Sequence, residues 1–594
     1  MPEIRVWAPK AHEMKLDSNN QILSMAKGES GWWYVNADFI HNGVDYAFVI
    51  DGKGPFPDPR SAWQPYGING PSRYMDHSLF TWTDSAWQQP PLGSAVIYEV
   101  HVGTFIPQGT FHSVMERIDH LLELGVTHVE LMPVAEFSGN RGWGYDGVDL
   151  YAPHHGYGGP EGLKRLVNAC HERGLAVILD VVYNHLGPAG NYLSRFGPYF
   201  TWRYATPWGD AINLDGPESN EVRRFFLDNA LMWLRDYHMD GLRIDAVHAI
   251  VDTSAVHFLE QLVAEVEDIE VELGRHLVLI AESDLNDPRL IRPAEVGGYG
   301  VDAQWNEDFH HALHTVLTDE RIGYYRDFGR LADLAKVLTQ GYVYDGCYSV
   351  YRRSHHGRPA TGLSGHRFVG CLQNHDQVGN RALGERISHL VLAGQLKIGA
   401  AMVLTSPFVP MLFQGEEWGA LTPFLYFTDH QEPGLGAAVK KGRQREFASF
   451  GWDTDKIPDP QGKGTFLRSK LDWSEIATAP HQELLDWYRS LIHLRRQIPE
   501  LRDGRMGRTA VYFDEEARWL IMKRGHIWMV FNFAPINQRI ACLEAGKKEI
   551  LLASEEDVRV EDDAIFLPGH SVAILTGRIT VVLIRKNKSI GFKI

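Results

Sequence analysis

The chain has 594 residues, 44% of them hydrophobic and 22% charged, which excludes a disordered polymer and is too long for a single hydrophobic core. Lys plus Arg number 58 against 75 for Asp plus Glu, and the resulting formal net charge of -17 repels nucleic-acid phosphates and anionic lipid heads, so neither nucleic acid nor membrane is an expected partner. Four cysteines, Cys170, Cys347, Cys371 and Cys542, lie scattered without CxxC spacing, which argues against a disulfide framework and a structural zinc site and leaves reduced, mostly buried thiols.

The N-terminal MPEIRVWAPKAHEMK contains no apolar stretch of signal-peptide length, which points to the cytoplasm. From Ile4 to about Trp87 short β-type runs, EIRVWAP, GWWYVNA and VDYAFVID, alternate with Gly, Asn, Asp and Pro clusters and predict a small β-sandwich. The QQPPLG stretch is a linker signal, so the sandwich is placed at 1–92. Strand, loop and helix then alternate over 93–504. AVIYEVHVGTF, THVELMPV, AVILDVVY, GLRIDAV, LVLIAES, VDAQWN, FVGCLQNHD and VPMLFQGEEWG read as eight strands, alternating with eight helical stretches and carrying a short insertion after the third strand at about 184–216. Near-continuous Val, Ile and Leu suit parallel strands covered by helices, and eight units suit an α/β fold of the (β/α)8, TIM-barrel type. The competing architecture is a doubly wound open sheet, disfavoured because no Gly-rich phosphate fingerprint follows the first strand. The most apolar helical candidate, Ile387 to Pro410, carries His389, Gln395 and Lys397 and is not a membrane span. From 505 to 594 β-type runs return, AVYFD, WLIMKR, IWMVFNF and SVAILTG, predicting a C-terminal antiparallel β-sandwich. The final RITVVLIRKNKSIGFKI is basic and has no functional reading.

In a parallel barrel, side chains available for chemistry sit where strands end at the C-terminal face. Asp245 ends the fourth strand, Glu282 the fifth and Asp376 the seventh, so three acids face one mouth. Taken singly, each reads equally as a helix N-cap or a surface ion-pair partner. Together they match what retaining glycoside hydrolysis needs, a nucleophilic carboxylate and a carboxylic acid about 5 to 5.5 Å apart, with a third acid to stabilise positive charge in the transition state. Arg243, two residues before Asp245, shares its side of the strand and would keep Asp245 ionised.

The segments DVVYNH (Asp180 to His185), GLRIDAVHAI (Gly241 to Ile250), AESD (Ala281 to Asp284) and QNHDQVGN (Gln373 to Asn380) resemble, in order and in strand position, the four signature regions of the α-amylase family of glycoside hydrolases. The resemblance implies that Asp245 is the nucleophile, Glu282 the general acid/base and Asp376 the transition-state stabiliser. It also implies that Arg243 orients Asp245, that His185 and His375 bond hydroxyls of the reacting sugar, and that Tyr145 stacks on it. The alternatives are a packed core aromatic for Tyr145 and hydrogen-bonded buried histidines for the other two; Asp180 and Trp143 read as structural.

Within the family, the N-terminal sandwich, of carbohydrate-binding type, together with WGYDGVDLYAP, NHDQVGNRALGER and GEEWG is most similar to members that cut the α-1,4 bond next to a terminal trehalose of maltooligosyltrehalose. A maltooligosyltrehalose synthase is then the pathway partner. Branching transferases share the sandwich and the WGY stretch, but their seventh-strand motif commonly continues HDE where this chain reads HDQ. They remain the alternative, with other α-glucan hydrolases; a catalytically silent binding protein usually lacks one of the acids. No cofactor is expected. Many α-amylases hold calcium through an Asn at the position of Asn184, but the loop from Leu186 to Gly216 has no run of oxygen ligands, so no metal is expected. The adjacent pairs His154/His155, His310/His311 and His355/His356 do not suggest shared ligation and are assigned to solvated or capping roles.

Overall fold

The computed structural model describes residues 3–449, 456–541, 548–561 and 564–577; Cys542 and the basic C-terminal run lie outside them. Near the N-terminus two antiparallel sheets form. Glu3–Trp7, Trp32–Asn36 and Ala26–Lys27 make one, and Gln21–Ser24, Met14–Ser18, Asp45–Ile50, Lys53–Phe56 and Ser72–Arg73 make the other. The alternating burial of Met14–Ser18 is the period-two signature of a half-buried strand.

Eight parallel strands then close a barrel in chain order: Ile97–Val100, His128–Leu131, Ala176–Val181, Gly241–Ile244, Val278–Ala281, Ala303–Trp305, Phe368–Cys371 and Val409–Phe413. Alternation sorts their side chains. Ile97, Ile178, Val278, Ile280, Ala303, Trp305, Val369, Cys371, Val409 and Met411 fill the barrel interior, while their neighbours Tyr98, Val100, Leu179 and Leu279 join the large core beneath the helices. Continuing the inward parity by two residues leads from Ile97 to Glu99, from Ile178 to Asp180 and from Ile280 to Glu282. A polar layer therefore caps the apolar one at the C-terminal end. At Gly241 a Cβ would lie 2.4 Å from the carbonyl oxygen of Val278, so only glycine lets strands four and five approach here.

The helical layer departs from eight regular units. Between the fifth and sixth strands no α-helix forms, only the 3-10 turn Ala294–Val296, because Pro288, Pro293, Gly297, Gly298 and Gly300 interrupt the segment. Conversely, the region after the sixth strand adds the helix Leu331–Gln340 and the hairpin Asp345–Ser349/Ser354–Gly357, neither of which follows from the alternation rule. The insertion after the third strand folds as the hairpin Phe200–Thr206/Gly209–Ile212.

On the opposite, N-terminal face, the linker is clamped to the barrel. The buried ring of His171 sits between Asp84, just before the linker (2.7 Å), and Asp240 before the fourth strand (2.8 Å), and Trp87 stacks on it at 4.7 Å while donating to Asp240. Beyond the barrel, five antiparallel strands (Thr509–Asp514, Trp519–Arg524, Ile527–Asn532, Ser571–Thr576 and Glu549–Ala553) and a three-stranded sheet form the C-terminal unit. Of the described cysteines, Cys170 and Cys371 are buried as expected, whereas Cys347, on the unanticipated hairpin, is exposed.

Candidate active site

The guanidinium of Arg243 is the centre of the mouth. It has no exposed surface, its Nη1 donates to Asp180 Oδ2 at 2.7 Å and Asp245 Oδ1 at 3.0 Å, and its Nη2 lies 2.9 Å from Glu282 Oε2. Its plane rests on the Trp305 ring with Cζ 4.0 Å from the centroid. One cation thus gathers acids from strands three, four and five. Burial would strip its proton, but the surrounding carboxylates outweigh that and keep it charged.

Asp245 is further held by Asn184, whose Nδ2 donates to its carbonyl (2.9 Å) and to Oδ2 (2.8 Å). The other end of that amide, Oδ1, lies 2.5 Å from His185 Nδ1, so both ends of Asn184 work within the site. Glu282 Oε2 accepts from the backbone N–H of Ala246 at 2.7 Å, and Ala246 adopts a left-handed φ of 39° to present it. This is backbone strain at a functional position. Burial pushes the Glu282 carboxyl above the usual range; Arg243 opposes that shift and Asp245 adds to it. A raised carboxyl is the form that donates a proton.

Asp376 is the most open of the three, 32% exposed at the side chain, and accepts from Asn380 Nδ2 at 3.2 Å. Tyr145 ties it to the others, since its half-buried phenol lies in the fields of Asp180, Arg243, Asp245 and Asp376. The phenol donates to Asp180 Oδ2 at 2.6 Å and meets His375 Nε2 at 2.8 Å, and its ring stacks on that imidazole at 5.1 Å. Tyr145 reaches this place through Gly144, where φ is +101° and a Cβ would collide with the Pro133 carbonyl at 2.1 Å. Trp143 packs on Phe424. His185 Nε2 donates to the Tyr145 carbonyl oxygen at 3.1 Å, and burial lowers the imidazole to about 4. All seven residues singled out from the sequence therefore converge on one cleft.

Others were not foreseen. Glu99 grips His375, Glu130 lies beneath with neither carboxyl oxygen hydrogen-bonded, and Trp208, from the hairpin, stacks on His185 at 4.7 Å and 11°. Asp180, read as structural, is pushed to about 7 by burial despite Arg243. Inward parity would have found Glu99 and Glu130. Nothing in the chain order signals Trp208.

The histidine pairs need correcting. His154, His155 and Glu136 bring ligand atoms within 4.8 Å of one another, because His155 opens a 3-10 turn facing the strand that carries Glu136. Both nitrogens of His154 are nevertheless engaged, Nδ1 capping Gly156 N and Nε2 at Gly139 O. His310 and His311 are not solvated but buried in the helix Glu307–Thr318, against Tyr325 and Tyr324. Among the four other histidines of these pairs only His355 is exposed, while His356 reaches the carbonyl of Asp284.

The catalytic-domain model of alpha-amylase matches residues 71–199, and a domain of unknown function, DUF3459, matches 504–574. A malto-oligosyltrehalose trehalohydrolase from Rhizobium sp. (strain M-11) is 48% identical over 96% of this chain and 97% of its own length. The chain belongs to the malto-oligosyltrehalose trehalohydrolase family. A second trehalohydrolase, from Arthrobacter ramosus, is 54% identical over 83% of this chain and 87% of its own. A solved chain from Salmonella typhimurium superposes with a TM-score of 0.89 at 36% identity, covering 97% of both chains. Trehalohydrolase membership agrees with the HDQ reading of the seventh-strand motif.

Proposed function

We propose that this chain hydrolyses the α-1,4-glucosidic bond next to the terminal trehalose of maltooligosyltrehalose, releasing trehalose and a maltooligosaccharide with retention of configuration. The observation that carries the chemistry is the bridging of Asp245 and Glu282 by one buried guanidinium, which sets a carboxylate and a raised carboxyl side by side. The relatives' names supply the substrate.

Asp245, held by Arg243 and Asn184, attacks the anomeric carbon while the Glu282 carboxyl gives its proton to the glycosidic oxygen, and trehalose leaves. Glu282, now ionised, takes a proton from water, which displaces Asp245 from the anomeric carbon and frees the sugar. Asp376 faces the same cleft and stabilises the oxocarbenium-like charge. His185 and His375 bond ring hydroxyls, and Tyr145 supplies the apolar wall. A synthase that builds the trehalose end supplies the substrate, and we place both reactions in the cytoplasm; among the described residues no helix is long and apolar enough to cross a membrane.

The test offers maltohexaose and its trehalose-terminated counterpart side by side. Free trehalose should appear from the second at a kcat/KM at least tenfold above cleavage of the first. Branched product without free trehalose would replace the hydrolase by a transferase.

A further inference from the structure

Glu99, the penultimate residue of the first barrel strand, gives both carboxyl oxygens to a single residue. Its Oε2 accepts the backbone N–H of His375 at 2.9 Å, and its Oε1 lies 2.5 Å from His375 Nδ1. Each residue is 1% exposed, so no water competes. Across the ring, Nε2 lies 2.8 Å from the Tyr145 hydroxyl and 3.5 Å from Asp376 Oδ1. The Tyr145 proton is directed at Asp180 Oδ2 at 2.6 Å, which leaves a phenolic lone pair facing His375. Both ring nitrogens thus face acceptors, and a neutral imidazole has only one N–H to offer.

We propose that Glu99 is a positioning residue, holding His375 as an imidazolium whose Nε2–H is aimed between Tyr145 and Asp376, where it becomes a charged donor to the reacting sugar. The functional part of this rests on the hydrolase reading above. The charged and titratable groups facing the ring are Glu99 and His101 from the first strand and its end, Glu130 from the second, Tyr145, Arg243 from the fourth and Asp376 beside it. Trp143 and Trp305 close the remaining sides. Burial lowers the imidazole's proton affinity and Arg243 adds to that, but Asp376 and Glu99 outweigh both and bring it to about 9. Burial also holds Glu130 well above the carboxylate range, so it stays neutral and adds no further charge.

Glu99→Gln tests this, because a glutamine amide can turn its NH2 toward Nδ1 and let the ring become neutral. If His375 returns to the ordinary value of about 6.5, the variant should match wild type in kcat/KM near pH 5 and fall about thirtyfold behind it at pH 8. Glu99→Asp, which keeps the charge, should restore most of the alkaline activity. In protein labelled with 15N-histidine, with His375→Asn used to assign the signal, wild-type His375 should carry imidazolium shifts on both nitrogens at pH 7.5 and lose them in Glu99→Gln. A Gln/wild-type ratio independent of pH, or a neutral His375 in wild type, would overturn the proposal. If Glu99→Gln does not fold, the wild-type spectrum alone decides. Should maltooligosyltrehalose not be cleaved at all, the hydrolase reading fails while the spectrum still reports the ring.

Discussion

Replacing Arg243 by lysine keeps the charge and removes the fork. A lysine nitrogen is a single point, so it can serve the Asp180–Asp245 pair but not also Glu282 at 2.9 Å, and it forfeits the stacking of the guanidinium on Trp305 at 4.0 Å. Breaking one contact of a buried ion pair costs about 3–5 kcal/mol, and a desolvated cation–ring contact contributes about 2 kcal/mol. If about 3 kcal/mol of that sum is expressed in the transition state, kcat falls about 10²-fold. The pH profile adds a sign. Arg243 pulls the Glu282 carboxyl down against burial, so weakening it lets that carboxyl rise. Because Glu282 acts in its protonated form, the alkaline limb of kcat should move to higher pH. Initial rates of trehalose release from pH 5 to 9, with thermal midpoints to confirm folding, measure both effects. An Arg243→Lys enzyme within threefold of wild type, with its alkaline limb unmoved, would refute the reasoning.

Asp245→Asn should lower trehalose release by several powers of ten while circular dichroism and the thermal midpoint stay near wild type, since the Asn184 contacts can persist; near-normal activity would remove Asp245 from the mechanism. At the barrel's other end, His171→Asn breaks a buried ion pair and should cost about 3 kcal/mol, read as a lowered midpoint in thermal scans. Its hydrogen bonds to Asp240 and Asp84 outweigh burial and raise the imidazole, so the His171 contribution is complete below about pH 6.5 and fades as pH rises through the folded value. The histidines likewise outweigh burial at Asp84 and Asp240 and lower both, so their contribution is present above about pH 4 and is lost as pH falls through the lowered values. The gap between wild type and His171→Asn should therefore be widest between about pH 4 and 6.5 and narrow on either side; a gap that widens steadily toward alkaline pH would contradict this.

Local chemistry along the chain determined a great deal. Apolar strands ending in acids located Asp245, Glu282 and Asp376 at the mouth, and period-two alternation put Arg243 beside Asp245, because strand geometry depends on the chain itself and not on its partners. The same rule also carried more than was first taken from it, since parity leads from Ile97 to Glu99 and from His128 to Glu130. Regular alternation overstated the helices, where Pro288, Pro293 and the glycines after them deny a helix between strands five and six. What only the tertiary structure decided are contacts between distant segments. Trp208 meets His185 because a hairpin folds back over the mouth, His310 and His311 are buried because residues after the sixth strand cover them, and Glu99 meets His375 because the seventh strand lies two places from the first around a closed barrel. Closure sets those distances, and a linear pattern contains no measure of it.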